Sequence, residues 1–485
     1  MNFSENPNVN TFFSEKWPTG KIPFWIADAA LGRHDLFNKT KFLGSMSVDI
    51  AIIGGGFTGL WTALAIQEKR PSARVVVLEA QFCGSGASGM NGGFSHGYWD
   101  MAARLFRDFE EKKATSILES GSISQQNIKK FCDEFVPEAD FRAGGRIKLA
   151  TTSAQEINFR ENVEVLGSRG FSAKARFTNK HEISSACNLL NYENGVFFDE
   201  TATLQPAKLA LGLKREALNR DIEIYEQTPL LSIQEASGKY SLEVPGGNII
   251  AKTIVLASNT SLTKHNFLKK KLTNFSSYVL ATKAIPEKLA EMEWSSDVSF
   301  STGKMFLNWF RKTADNRIVF GTGGGPIGYN GAFNGSMLEN RRVREKLIRD
   351  FLKFFPSCAA SDVEYEWAGA VELSADRLPF FGTIPNTRIH YGCGYSGHGV
   401  NATWIGGQSL SALALGIDSE WRQLPFCTRP IANWPIEPFR FLGGKFFRAG
   451  LMAYEDAVEA GREPSLFATM VHKLPKIGAA KLGAR

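Results

Sequence analysis

Val48-Asp49-Ile50-Ala51-Ile52-Ile53-Gly54-Gly55-Gly56-Phe57-Thr58-Gly59 decides the fold. Val48 to Ile53 is a short, nearly continuous apolar run rich in β-branched residues. Such a run suits a strand buried on both faces of a parallel sheet. Glycines follow at once, spaced GxGxxG, and Leu60 to Ile66 then suits a buried helix. Each glycine has a physical task. Gly54 makes the tight turn, Gly56 lets a pyrophosphate approach the backbone, and Gly59 lets helix and strand pack closely. Phe57 and Thr58 open a helix whose free N–H groups and partial positive charge favour phosphate. A second β-branched run, Val75 to Leu78, leads into Glu79 and Ala80. Glu79 stands 20 residues after Gly59, where a carboxylate can accept hydrogen bonds from ribose hydroxyls. Strand, turn, helix, strand and acid together predict an α/β, Rossmann-like dinucleotide domain.

Outward from this unit, Asp108 to Glu134 has helical composition, and Gly145 to Thr151 reads as a strand. A helix over Ala207 to Asn219 precedes a strand at Ile222 to Tyr225, and Ile254 to Ala257 is another short buried strand. Ala314-Asp315-Asn316 before Arg317 to Phe320 predicts a hairpin. Met337 to Phe355 predicts a helix stopped by Pro356, and Phe439 to Ala460 another.

Composition bounds the class. The chain has 485 residues, 43% hydrophobic and 22% charged, as expected of a globular protein. A net charge of +7 on so long a chain gives no argument for nucleic acid and does not oppose an anionic substrate. The six cysteines form no CxxC pair and have no His at zinc spacing, so reduced thiols and no metal are expected. Met1 to Asn10 lacks the pattern of a signal peptide, and no stretch is long and apolar enough to cross a membrane. A cytoplasmic location is the expectation. Lys473, Lys476, Lys481 and Arg485 form a basic tail, expected to be solvated, with weak membrane-surface contact as the alternative.

The 46 glycines exceed the usual roughly 7%. Two further clusters hold many of them. Gly84 to Gly93 reads GSGASGMNGG, a small-residue segment able to lie along a large ligand. Gly392 to Gly399 reads GCGYSGHG and opens a small-residue helix from Ala402 to Leu415. A helix start there can aim N–H dipoles at a polar ring or a phosphate. An N-terminal nucleotide site completed by a C-terminal glycine cluster favours an integral, buried FAD.

VDIAIIGGGFTGLWTALAI, VVVLEA, GSGASGMNGG, IVLASN and GYSGHG, in that order from Val48 to Gly416, resemble the FAD-dependent oxidoreductases of the D-amino acid oxidase and glycine oxidase group. The segment Gly59 to Ala63, ASGxNGG, Asp376-Arg377-Leu378-Pro379 and the long C-terminal extension look most like γ-glutamylputrescine and aminophosphonate oxidoreductases. The resemblance implies a glutathione reductase-type FAD domain interleaved with an α+β substrate domain carrying an antiparallel sheet. The expected FAD segments are 1–95, 199–275 and 361–430. The substrate segments are 96–198 and 276–360, with 431–485 as the extension. It further implies amine oxidation, with hydride passing to flavin and the imine then hydrolysing.

For the cofactor, the implied residues are Gly54, Gly56, Phe57, Thr58, Gly59, Glu79, Ala80, Gly86, Ala87, Ser88, Asn91, Gly92 and Gly93, then Pro229, Leu230, Ser258 and Asn259, then Gly394, Ser396, Gly397, His398 and Gly399. His398 is expected at the flavin ring, with His96, Trp99 and Arg311 as candidates at the substrate. Phe306, Phe310 and Phe320 are either pocket wall or plain core. Departures matter as well. Val371 stands where the relatives place a carboxylate-binding Arg, and Asn401 where sarcosine oxidases have a Lys. Ala370 lies near the position of their flavin-tethering Cys, so non-covalent FAD is expected. Burying an α-carboxylate without a cation is costly. This points away from simple α-amino acids and toward a γ-glutamylated polyamine or an aminophosphonate. Oxygen or a quinone would be the electron acceptor. A quinone-linked dehydrogenase and a non-catalytic flavin subunit remain as alternatives.

Overall fold

β1 (Gly44–Ile53) is the middle of an eight-stranded sheet. In a computed structural model, residues 22–31, 40–188 and 192–474 are described. The sheet runs β17 (Phe380–Thr383), β18 (Ile389–Cys393), β11 (Gly247–Leu256), β1, β2 (Val75–Leu78) and β8 (Glu223–Tyr225). β10 (Lys239–Val244) and β9 (Ser232–Ala236) extend β11 as an antiparallel meander. β1 is parallel to both neighbours, with Ile53 level with Leu256 of β11 and Leu78 of β2. The carboxyl ends of three strands therefore finish together. This brings the loops at Gly54, Glu79 and Ala257 to one crevice, the place where open α/β sheets bind ligands. The helix Phe57–Lys69 leaves that crevice buried from Phe57 to Ile66, as its apolar sequence requires.

The second sheet also has eight strands. Its order is β16 (Val363–Ser374), β12 (Leu272–Thr282), β15 (Ile318–Thr322), β14 (Asn308–Lys312), β13 (Ser299–Thr302), β4 (Arg146–Leu149), β6 (Asn194–Phe198) and β5 (Ala175–Asn179). Every pairing is antiparallel except β13 with β4. A two-stranded ribbon, β3 (Phe94–His96) with β7 (Thr201–Thr203), joins the sheets. Sheet membership moves two expected boundaries. β12 starts at Leu272 rather than after 275, and β16 belongs wholly to the second sheet although it follows 361.

Period-2 alternation sorts the second sheet's faces. Phe300, Phe310 and Phe320 stack across β13, β14 and β15, at 5.2 and 5.9 Å between ring centroids. They meet Phe351, Phe354 and Phe355 at the helix Arg341–Phe354. Phe310 and Phe320 are therefore core, while Phe306 lines the cavity described below. The helix expected over Met337 to Phe355 is broken. Asn340 caps a new helix by accepting from the Val343 N–H at 3.2 Å.

The C-terminal extension is two packed helices, Phe439–Glu459 and Leu466–Lys473. Gly450 lets Val471 approach closely, and Tyr454 stacks on His472 at 3.9 Å. Lys476, Lys481 and Arg485 of the basic tail lie outside the described residues, as do Met1 to Asn10. All six cysteines are unpaired. Among the described residues no helix is long and apolar enough to cross a membrane.

Candidate active site between the two sheets

A single cavity of about 1360 Å³ runs from the β1 crevice to the second sheet. Gly54 enters the turn at a φ of +115°, with the Ala257 carbonyl 2.5 Å from where a Cβ would sit. Gly59 leaves even less room, because a Cβ there would lie 1.9 Å from the Gly54 carbonyl oxygen. These two glycines are thus demanded by packing. Gly55 N–H donates to Glu79 Oε2 at 2.7 Å, and Gln81 N–H to Oε1 at 2.9 Å. The acid therefore fastens the glycine turn as well as lining the cavity.

The second cluster is not a uniformly extended segment. It forms a short helix, Ala87–Met90, before β3. Ser88 Oγ accepts from Phe57 N–H at 2.9 Å, linking it to the first cluster. Asn91 holds its own turn, donating to the Ala87 and Ser88 carbonyls and accepting from Gly93 N–H at 2.7 Å. Trp25 and Trp367 donate from their indoles to the Asn91 and Met90 carbonyls. At the third cluster, Thr58 Oγ1 donates to Tyr395 Oη at 2.8 Å, so the first and last motifs touch across 337 residues. His398 stands at the N-cap position of the helix Gly399–Leu415 without a capping side-chain hydrogen bond, and the helix N-terminus opens on the cavity.

Of the residues expected at the cofactor, Gly54, Gly56, Phe57, Thr58, Glu79, Ala80, Gly86, Ala87, Ser88, Asn91, Gly92, Leu230, Ser258, Asn259, Ser396, Gly397, His398 and Gly399 line the cavity. Gly59, Gly93, Pro229 and Gly394 do not. Gly59 and Gly93 are packed against the carbonyls of Gly54 and Leu204, and Gly394 N–H donates to Glu372 Oε1 at 2.8 Å.

The four substrate-side candidates separate. His96 and His398 share the cavity, with ring centroids 5.0 Å apart. Burial first, and then the nearby cations, Arg146 for both and also Arg377 and Lys148 for His398, hold both imidazoles below their ordinary pKa. The expectations for Trp99 and Arg311 are corrected. Trp99 is core, its indole donating to Glu200 Oε2 at 2.7 Å and Ser122 Oγ at 3.0 Å. Arg311 is 2% exposed and turned toward the ribbon. It donates to the carbonyls of Leu204 at 2.6 Å and Gly93 at 3.1 Å, over the ring of Trp25. Alternation along β14 explains this: Trp309 and Arg311 share the face opposite Phe310. Arg311 ties β14 to the ends of the ribbon.

Several lining residues carried no signal in the sequence. Glu372, on β16, is buried and accepts from Gly394 N–H with one oxygen, leaving Oε2 without a partner among the described residues. Burial pushes its carboxyl up to about 7. Arg377 comes from the turn after β16, and Lys148 and Arg146 from β4. The extension contributes Arg440, Gly444, Leu451, Tyr454, Glu455 and Val458. Of these, only Arg377 falls in a sequence motif, Asp376-Arg377-Leu378-Pro379. Val371 does line the cavity without charge, but cations reach it from other elements. Asn401 lies elsewhere, donating to Gly121 O at 2.9 Å.

The cavity fits a flavin dinucleotide. Two helix N-termini open on it, and Asn259 Oδ1, Glu372 Oε2 and His398 Nδ1 are buried there without hydrogen-bond partners among the described residues. The comparisons agree. Gamma-glutamylputrescine oxidoreductase of Escherichia coli is 29% identical over 417 residues, 83% of this chain and 92% of that protein. Glycine oxidase of Bacillus licheniformis is 23% identical over 391 residues, 77% of this chain and 95% of that protein.

 The crystal structure of glycine oxidase from Geobacillus kaustophilus superposes with a TM-score of 0.65 at 19% identity, covering 80% of this chain and all of that one, a likeness of fold. Residues 49–413 match the family described as "DAO: FAD dependent oxidoreductase". The chain is therefore a FAD-dependent oxidoreductase of the DAO family.

Proposed function

We propose that this enzyme oxidises the C–N bond of an amine whose acidic group lies away from the reacting carbon, of the γ-glutamylated polyamine or aminophosphonate kind. The carrying observation is the continuous cavity, in which the GxGxxG turn, the ASGMNGG segment and the His398 helix start share walls with β12, β14 and β16. The Escherichia coli relative, by its name, acts on gamma-glutamylputrescine. Val371 leaves the family's carboxylate position uncharged, which argues against an α-carboxylate held there.

In this reading Gly54 to Thr58 and the helix start hold the pyrophosphate, Glu79 the ribose, and Ser396 to Gly399 the polar edge of the flavin. Bound flavin supplies the hydride acceptor. The chain's own part is to orient the amine, exclude water and keep the surroundings from adding a proton to it. His96 and His398, neutral through burial, offer hydrogen bonds without charge. Transfer of hydride from the carbon to the bound flavin would leave an iminium ion, which water would convert to a carbonyl compound and an amine or ammonia, with release of a proton. Ala370 offers no thiol for a covalent tether, so the flavin is held non-covalently.

The test is anaerobic titration of the yellow holoenzyme with a panel of amines, including acylated diamines and aminophosphonates. Bleaching of the flavin by members of that panel is expected; a flavin left oxidised by all of them overturns the reading. Peroxide release in air at the turnover rate identifies oxygen as the acceptor, and reduction without it identifies a dehydrogenase. Denaturation should release the flavin into solution.

A further inference from the structure

One corner of the cavity holds more positive charge than its own carboxylates balance. Arg146 Nη2 and Lys148 Nζ both lean on one oxygen of Asp100, at 3.0 and 3.4 Å. The other Asp100 oxygen, Arg146 Nε and His398 Nδ1 are buried without hydrogen-bond partners among the described residues. Arg377 lines the same cavity, close enough to Lys148 and His398 for its charge to disfavour theirs. Its neighbour Asp376 cannot neutralise it, because both Asp376 oxygens are taken by Arg429 at 2.8 and 3.2 Å. Arg104 is held by Asp108 at 3.1 Å and by the Asp376 carbonyl at 2.8 Å.

Arg377 itself donates to the thioether of Met305 at 2.6 Å, and among the described residues no carboxylate pairs with it. A thioether is a weak acceptor. An enclosed guanidinium with that partner alone is costly to keep. Local backbone preference does not explain it either, since Arg377 sits at a φ of +58°, a region that suits Gly or Asn. His96, Asp100 and His398 bring ligand-type atoms within 4.8 Å of one another. A divalent cation there would face Arg146 and Lys148 at once, so the corner's charge favours an anion.

We propose that Arg377, with Lys148 and Arg146, forms a subsite for an oxyanion, carboxylate or phosphonate, carried by the substrate away from its reacting C–N bond. The planar guanidinium fork suits either group, and Lys148 adds a point charge. The proposal rests on the amine-oxidising reading above and names the second feature its substrate must have.

The test uses the holoenzyme and three amines with different tails: n-butylamine, 4-aminobutanoate and 3-aminopropylphosphonate. Binding is read anaerobically from the perturbation of the flavin absorbance and from the shift in melting temperature. At least one anionic probe should bind the native enzyme about tenfold or more tighter than butylamine. In Arg377→Met that ratio should fall to within about threefold, and Arg377→Lys should lie between. Should Arg377→Met fail to fold, Lys148→Met is read the same way. Which anionic probe gains more identifies the carboxylate or the phosphonate. Equal binding of all three probes, or a ratio that survives the substitution, overturns the subsite. A changed flavin spectrum with an unchanged ratio also overturns it, because Arg377 would then serve the cofactor. Arg377-dependent binding of the anionic probes without flavin reduction by any amine would leave the subsite standing and remove the amine-oxidising reading.

Discussion

The two sides of the cavity are built by different means. The cofactor side is mostly backbone: Gly54 and Gly56 at the end of β1, the Ala87–Met90 turn, and the start of the helix Gly399–Leu415. The opposite side is mostly side chains gathered from β4, β12, β16, the turn at Arg377 and the extension. Backbone sites demand residue types at fixed spacing, because a turn or close approach excludes a Cβ. Side-chain sites demand only that a group arrive at a point in space, from any segment. The difference teaches why family membership is plain in the motifs while the makeup of the opposite wall is not.

The most severe way to break this contrast is Gly59→Val. Its first side-chain carbon would fall 1.9 Å from the Gly54 carbonyl. Backbone cannot yield that far, so purified protein should lack flavin or fail to fold, as its absorbance near the flavin band reports. Arg311→Met tests the tie between the sides. It leaves the Leu204 carbonyl without its charged donor and should cost about 2–4 kcal/mol of stability in denaturant titration. The surviving folded protein should still carry flavin.

Glu372 gives a pH signature. Its folded pKa, about 7, lies above its ordinary value of 4.5 because burial disfavours the carboxylate. The proton is therefore held more tightly when folded. Its stabilising contribution is complete below about pH 4.5 and is lost as pH rises through about 7. Glu372→Gln should remove this decline, giving a melting temperature less dependent on pH between those limits. The gain at pH 8 should be at most about 3 kcal/mol. The smallest effect belongs to the extension. Tyr454→Ala should change KM for a reacting amine by no more than about tenfold, with flavin content unchanged, since it lines the cavity and stacks on His472. A loss of flavin in that variant would show that the extension supports the cofactor as well.

Legibility followed the same divide. The strand at Val75–Leu78 and the helix from Pro206 to Asn219 were readable because apolar period and length are local properties. The break in the helix at Asn340 was not, although the cap residue was in view, because the surrounding pattern continues at helical spacing. Arg311 and Trp99 misled for a physical reason. Nothing in a sequence tells which face of a strand or turn looks into a cavity, and both residues found partners inside the protein instead. His96 and His398 stand 302 positions apart in the chain, yet the ribbon and the helix start set their rings 5.0 Å apart.

By itself, the sequence determined the dinucleotide crevice, because GxGxxG and the acid after β2 encode a backbone geometry that few other residues permit. Only the tertiary structure decided which phenylalanines are core, that Arg311 joins β14 to the ribbon, and that Arg377, Lys148 and the extension meet at one cavity. Those outcomes depend on long-range packing, where the direction of a side chain is set by its neighbours in space rather than in the chain.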